Sequence, residues 1–208
     1  MDPMRFIRPA PPLLQQRDNG CGTTCLAMAL AALYQTPITQ AQVDALLKRP
    51  PWLGMLPGML ARAARRFNLN AQIVRNPSFD QIAQALAKDG LYLVLGAYRQ
   101  QARYTGWQAI YNKAPFNWHW HLLYRIKQSK SDESGSDEPG EPGINECEPY
   151  RGLAVNQECC IVFANDPHGV AITAGWQNYC EQFWRPRRLG LRKARYGVLL
   201  RRWICKEL

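Results

Sequence analysis

The chain has 208 residues, 47% of them hydrophobic, which suits one domain with a sizeable core. No run approaches the roughly 18 consecutive apolar residues that a membrane-spanning helix needs. The formal net charge is +10, but no nucleic-acid-binding motif accompanies it, so a nucleic-acid partner is not expected.

The charge is unevenly spread. Seven acids and no base lie between Ser131 and Glu148, which leaves nine acids against 26 bases in the remainder. The excess is densest in "WRPRRLGLRKARYGVLLRRW", a stretch suited to an acidic partner or simply to a solvated face. Seven cysteines is an odd count, and neither zinc-ribbon nor disulfide-framework spacing is present. Reduced thiols are therefore expected, with no metal and no cofactor, and Cys25, Cys160 and Cys205 read as small buried hydrophobes.

"MDPMRFIRPAPPLL" lacks the basic start, apolar centre and small-residue cleavage site of a signal peptide. The cytoplasm is the expected compartment, and export as an effector by a signal-less route would leave no mark here. Residues 20 to 34 follow as a helix, with Leu26, Ala29, Leu30 and Leu33 on one face and Asn19 or Gly20 able to cap it. Thr39 opens a second helix to about Lys48. A third runs from about Pro57 to Phe67, with proline in its first turn. "NAQIVR" reads as a short strand. Ser78 caps a fourth helix with an apolar face of Phe79, Ile82, Ala83 and Leu86, stopped by Gly90.

"LYLVLGAY", "NWHWHLLYRI" at 117–126, "CCIVFAND" at 159–166 and the final "YGVLLRRW" read as strands. Helices first and strands later imply an α+β fold, a helical half packed on an antiparallel sheet. The stretch from about 128 to 148 is Ser, Gly, Pro and acid with almost nothing to bury, a flexible insertion within a single domain over 1–208.

Cys21 stands in the first turn of the first helix. Orphan backbone N–H groups and the helix dipole favour a thiolate there, although a buried, inert thiol is an equal reading of spacing alone. Of the three histidines, His168 lies in the loop "NDPHGV", whereas alternation puts His119 and His121 on one face of a strand. At most one of those two can partner Cys21 directly, and the other is expected to be a satisfied, partly buried imidazole. Asp166, at the end of "CCIVFAND", is placed to fix an imidazole tautomer, or else is an ordinary turn aspartate. Gln15 carries an amide just upstream of Cys21, able to face an oxyanion.

Four stretches together resemble the papain-like cysteine peptidases, specifically the peptidases that trim double-glycine leaders from bacteriocin precursors. They are Q-x5-C-G-x-T-C-L from Gln15 to Leu26, "LPGMLARAARRFNLNAQI", "HWHLLY" and "NDPHG". The resemblance covers about residues 13 to 185 and implies a papain-like fold acting on a protein or peptide through a Cys-His-Asp triad and an acyl-thioester. It makes Cys21 the nucleophile, His119 the general base and acid, Asp166 its orienter and Gln15 the oxyanion donor. His121 instead would suit the plant and lysosomal papains, in which aliphatic residues follow the histidine at once. The sequence reads as a standalone relative without the transporter to which that family is usually fused. The 47 residues from His119 to Asp166 include the acidic insertion, where the family has a short turn. The same triad also supports deamidation, transglutamination or acyl transfer on a side chain, and the fold can serve as an inactive peptide-binding module.

Overall fold

The computed structural model describes residues 12–16, 20–47, 54–88, 90–97, 118–128, 160–167, 169–184, 187–189 and 192–202. The helices are α1 (Cys21–Tyr34), α2 (Gln40–Leu47), α3 (Pro57–Arg66), α4 (Phe79–Ala87) and α5 (Trp176–Gln182). The strands are β1 (Leu69–Arg75), β2 (Leu91–Ala97), β3 (Trp118–Gln128), β4 (Cys160–Asp166), β5 (Val170–Gly175), β6 (Arg187–Leu189), β7 (Arg192–Ala194) and β8 (Tyr196–Arg202).

Six strands form one sheet in the order β1-β8-β2-β3-β4-β5, and every neighbouring pair is antiparallel. The α+β class expected from the order of elements is therefore what the chain adopts. None of the described helices is long and apolar enough to cross a membrane. The acidic stretch at 128–148 falls, apart from Gln128 at the end of β3, outside the described residues, as do His168 and Cys205.

Alternation along the central strands divides the core in two. Leu91, Leu93 and Leu95 of β2 and Trp120 and Leu122 of β3 pack with α1 and α3. Tyr92, Val94, Leu123, Val162 and Ala164 pack with α4 and α5 on the opposite side. Both faces of the sheet are thus covered, which is why β2 reads as a continuous apolar run. α1 is apolar nearly all round because it lies deep, with Cys21 through Leu30 all buried. In contrast α3 keeps Leu60, Ala61, Ala63 and Ala64 inward and turns Arg62, Arg65 and Arg66 to solvent.

Local capping explains the boundaries. Ser78 and Gln81 exchange side-chain and backbone hydrogen bonds at the start of α4. Gln35, in the left-handed conformation at φ 55°, closes α1. Cys25, Cys160 and Cys180 are buried cysteines, as expected of the first two. Part of the arginine-rich end is structural: Arg195 Nε donates to the Trp184 carbonyl at 3.1 Å.

β3 is locked to the start of α1 and to the segment before α3 by three contacts. Trp120 Nε1 donates to the Met55 carbonyl at 2.8 Å, and Cys25 Sγ donates to the Trp120 carbonyl at 3.1 Å. Between them lies Gly22, where an added Cβ would come 2.9 Å from Met55 Cβ and 3.1 Å from Trp120 Cδ1. Gly58 in α3, by comparison, has nothing within 4 Å of such a Cβ.

The two glycines therefore respond oppositely to alanine. Gly22→Ala overpacks the junction and costs about 1–3 kcal/mol, whereas Gly58→Ala adds roughly 0.5–1 kcal/mol of helix stability. Urea unfolding midpoints move apart accordingly, and equal shifts would contradict the close packing at Gly22.

Candidate functional site

Three elements bring polar groups together at one corner of the core. Gly20 is the N-cap of α1, with its carbonyl accepting from Thr24 N at 2.9 Å and from the Thr23 and Thr24 hydroxyls at 3.0 Å each. Cys21 is consequently the first helical residue, 7% exposed. Cys21 lies beside His119 of β3 and raises its titration through hydrogen bonding and charge. His119 Nε2 in turn lies 3.2 Å from Asp166 Oδ1 at the end of β4.

Sheet register explains how Asp166 arrives there. β3 and β4 pair Leu123 with Ala164 and Leu122 with Asn165. One further step sets Asp166 across from His121 and diagonal to His119, both within reach of its carboxylate. His121 Nε2 lies 3.3 Å from Asp166 Oδ2, so the two carboxylate oxygens face different imidazoles. His121 is wholly buried rather than partly so, and the two imidazole centroids are 5.0 Å apart.

Two aromatic rings also lie close to His121. Its ring lies 5.7 Å from Phe183 and 6.4 Å from Tyr179, centroid to centroid. Gly96, the register partner of His119, has no room for a side chain, since a Cβ would overlap the Phe183 carbonyl and reach 3.6 Å from His121 Cε1. Glycine here lets the end of α5 close over the two histidines.

Gln15 reaches the site through its backbone. Its N–H donates to the Pro167 carbonyl at 2.6 Å, next to Asp166. On either side, Leu13 N contacts Met28 Sδ at 3.2 Å and Gln16 N donates to Gln40 Oε1 at 2.7 Å. That Gln40 oxygen also accepts from the Thr24 hydroxyl at 2.9 Å, so the segment is tied to both α1 and the end of β4. Gln15 Oε1 is buried and has no hydrogen-bond partner among the described residues.

Electrostatics follow from this geometry. Burial alone would depress the His119 pKa, but hydrogen bonds to Asp166 and Cys21, with their charges, outweigh it and push it up to about 9. Burial likewise disfavours ionised Asp166, yet hydrogen bonds and charge from His119 and His121 hold its carboxyl well below the usual carboxylate range. Burial pushes the Cys25 thiol well up, followed by the charges of Cys21 and Asp166, so Cys25 is a structural donor rather than a reactive group. Ligand atoms of His119, His121 and Asp166 lie within 4.8 Å of one another, a donor set that could share a divalent ion.

The arrangement can pass a proton from the thiol to an imidazole whose second nitrogen is fixed by a carboxylate. Sequence reasoning named Cys21, His119, Asp166 and Gln15, and all four lie on the segments that converge at this corner. The contact it lacked is that of His121 with Asp166.

No family model matches the sequence, and no curated protein matches it. Among solved structures the chain is similar to the peptidase domain of Streptococcus ComA, a bi-functional ABC transporter involved in a quorum sensing pathway. Identity there is 11%, over 93% of this chain and 99% of that one, with a TM-score of 0.49. It is also similar to a double-glycine motif protease from an AMS/PCAT transporter in complex with the leader peptide. Identity in that case is 17%, over 94% of this chain and 92% of that one, with a TM-score of 0.48.

Stability should report the buried pair. His119 titrates above its ordinary 6.5 in the folded chain, so its contribution is complete below that pH and is lost as pH rises through about 9. Asp166 titrates below its ordinary 3.8, so its contribution is complete above that pH and is lost as pH falls. Asp166→Asn therefore destabilises most between these limits and less towards alkaline pH in urea unfolding. A cost that does not vary with pH would contradict the pairing.

Proposed function

We propose that the protein is a thiol hydrolase that cuts peptide bonds of a protein or peptide substrate. The observation that carries this reading is the 3.2 Å contact of His119 with Asp166 on adjacent strands, with Cys21 at the start of a helix beside that imidazole. The Gln15-to-Leu26 sequence pattern supports it independently.

In this reading Cys21 gives its proton to His119 and the thiolate attacks the scissile carbonyl carbon. Asp166 occupies Nε2 of the imidazole, so Nδ1 is the nitrogen that exchanges the proton. The oxyanion is held by the Gln15 amide, its N–H₂ turned into the site, and by backbone N–H groups that point out of the start of α1. His119 then protonates the departing amine, which leaves an acyl-thioester on Cys21. Water attacks that thioester as His119 takes its proton, and the carboxylic acid departs as the thiol is restored. Asp166 keeps the imidazole in the required tautomer and stabilises its cationic form.

Mass spectrometry of new protein N-termini in a lysate treated with the protein tests this. Wild type generates termini that share a residue pattern, and Cys21→Ala generates none. His119→Ala nearly abolishes them, while Gln15→Ala lowers the rate by about 10²–10³. An absence of new termini, with Cys21 still reactive towards iodoacetamide, would contradict peptide-bond hydrolysis and favour deamidation or transfer at a side-chain carboxamide.

A further inference from the structure

We infer that His121 is a positioning residue, which fixes the Asp166 carboxylate so that Oδ1 stays on His119. This deepens the proposed thiol chemistry and rests on it. The sequence expectation was of a bystander imidazole, but the geometry does not describe a bystander. Asp166 is 2% exposed, and each of its oxygens faces a different imidazole nitrogen at 3.2 and 3.3 Å.

A carboxylate held at one oxygen can rotate about its terminal bond; one held at both cannot rotate without breaking a contact. The 3.3 Å approach of His121 Nε2 to Oδ2 is an ion-pair contact without the alignment of a hydrogen bond, and both the Nε2–H tautomer and the imidazolium present a proton to that oxygen. Its ring cannot swing away. Phe183 and Tyr179 flank it, and the Gly96 backbone lies against its edge. Polar groups near it among the described residues include Asp166 of β4, His119 of the same strand and the Tyr179 phenol of α5. Burial, followed by the charges of Cys180, Cys25 and Asp166, pushes the Tyr179 phenol well up, so it stays neutral through the range in which His119 titrates. Loss of the contact to Oδ2 therefore acts through Asp166 on His119 and reaches Cys21 only through that imidazole.

The test is the rate of Cys21 alkylation by iodoacetamide as a function of pH, mapped by peptide mass spectrometry. Wild type is compared with His121→Phe, His121→Gln and His119→Ala. His121→Phe lowers the rate by about 10- to 100-fold. It also moves the alkaline limb set by His119 down by about one pH unit. His121→Gln, whose carboxamide N–H can reach the same oxygen, restores most of both. A His121→Phe profile that matches wild type, while His119→Ala still alters the profile, overturns the inference and leaves the triad standing. No change in either variant overturns the triad itself.

Should His121→Phe fail to fold, ¹⁵N-labelled imidazole spectra of the wild type decide the matter. A proton on His121 Nε2 supports the inference. The Nδ1–H tautomer, with bare nitrogen towards the carboxylate, overturns it.

Discussion

The site depends on the junction between the start of α1 and the first residues of β3. Trp120 is fully buried there, its indole N–H spent on the Met55 carbonyl and its own carbonyl taken by the Cys25 thiol. Trp120 points to one face of the sheet while His119 and His121, its neighbours on either side, point to the other. Seating the indole against Gly22 therefore sets the height and rotation of both histidines relative to Cys21. Glycine at 22 is a packing requirement, and the Cys-Gly pair couples a reactive position to the contact that aims its partner. Cys25, four residues on, is a hydrogen-bonded structural thiol.

A second constraint is the burial of an ionised carboxylate. Asp166 is almost inaccessible to solvent, and a buried charge is tolerated only when paired and hydrogen-bonded. Two imidazoles and the adjacent turn provide that environment. The turn is held in place because the Gln15 N–H bonds the Pro167 carbonyl. The segment that carries a candidate oxyanion donor thus also braces the group that orients the imidazole. Cys21, His119, Asp166 and the Gln15 backbone are thus tied together rather than placed separately, and substitutions among them are expected to be non-additive.

Much of this was legible in the sequence because it rests on periodicity and capping. Helix α4 announces itself by Ser78 and Gly90, α3 by Pro57, and β2 by an unbroken apolar run. β5 and α5 were not legible. β5 is an edge strand whose single buried side chain is Ile172, and α5 is only seven residues long. Neither burial pattern is strong enough to exceed the turn signal of the preceding Asp-Pro. The order of Cys21, His119 and Asp166 along the chain could be read from local motifs, but the second histidine's contact with Asp166 could not. It depends on the register of β3 against β4, whose partners are far apart in sequence, and on a bulge between Leu123 and Arg125 that no residue pattern reveals. The tie between Gln15 and Pro167 is likewise a backbone contact, invisible to side-chain pattern.

The most direct measurement of the central claim is covalent trapping with a peptidyl epoxysuccinate, an electrophile that needs both a thiolate and a proton donor beside it. Intact mass and tryptic mapping of the labelled protein then identify the site. The account predicts one adduct per chain, on Cys21, lost in His119→Ala. Labelling that is indifferent to His119→Ala, or that falls on another cysteine while Cys21 stays unmodified, would contradict it.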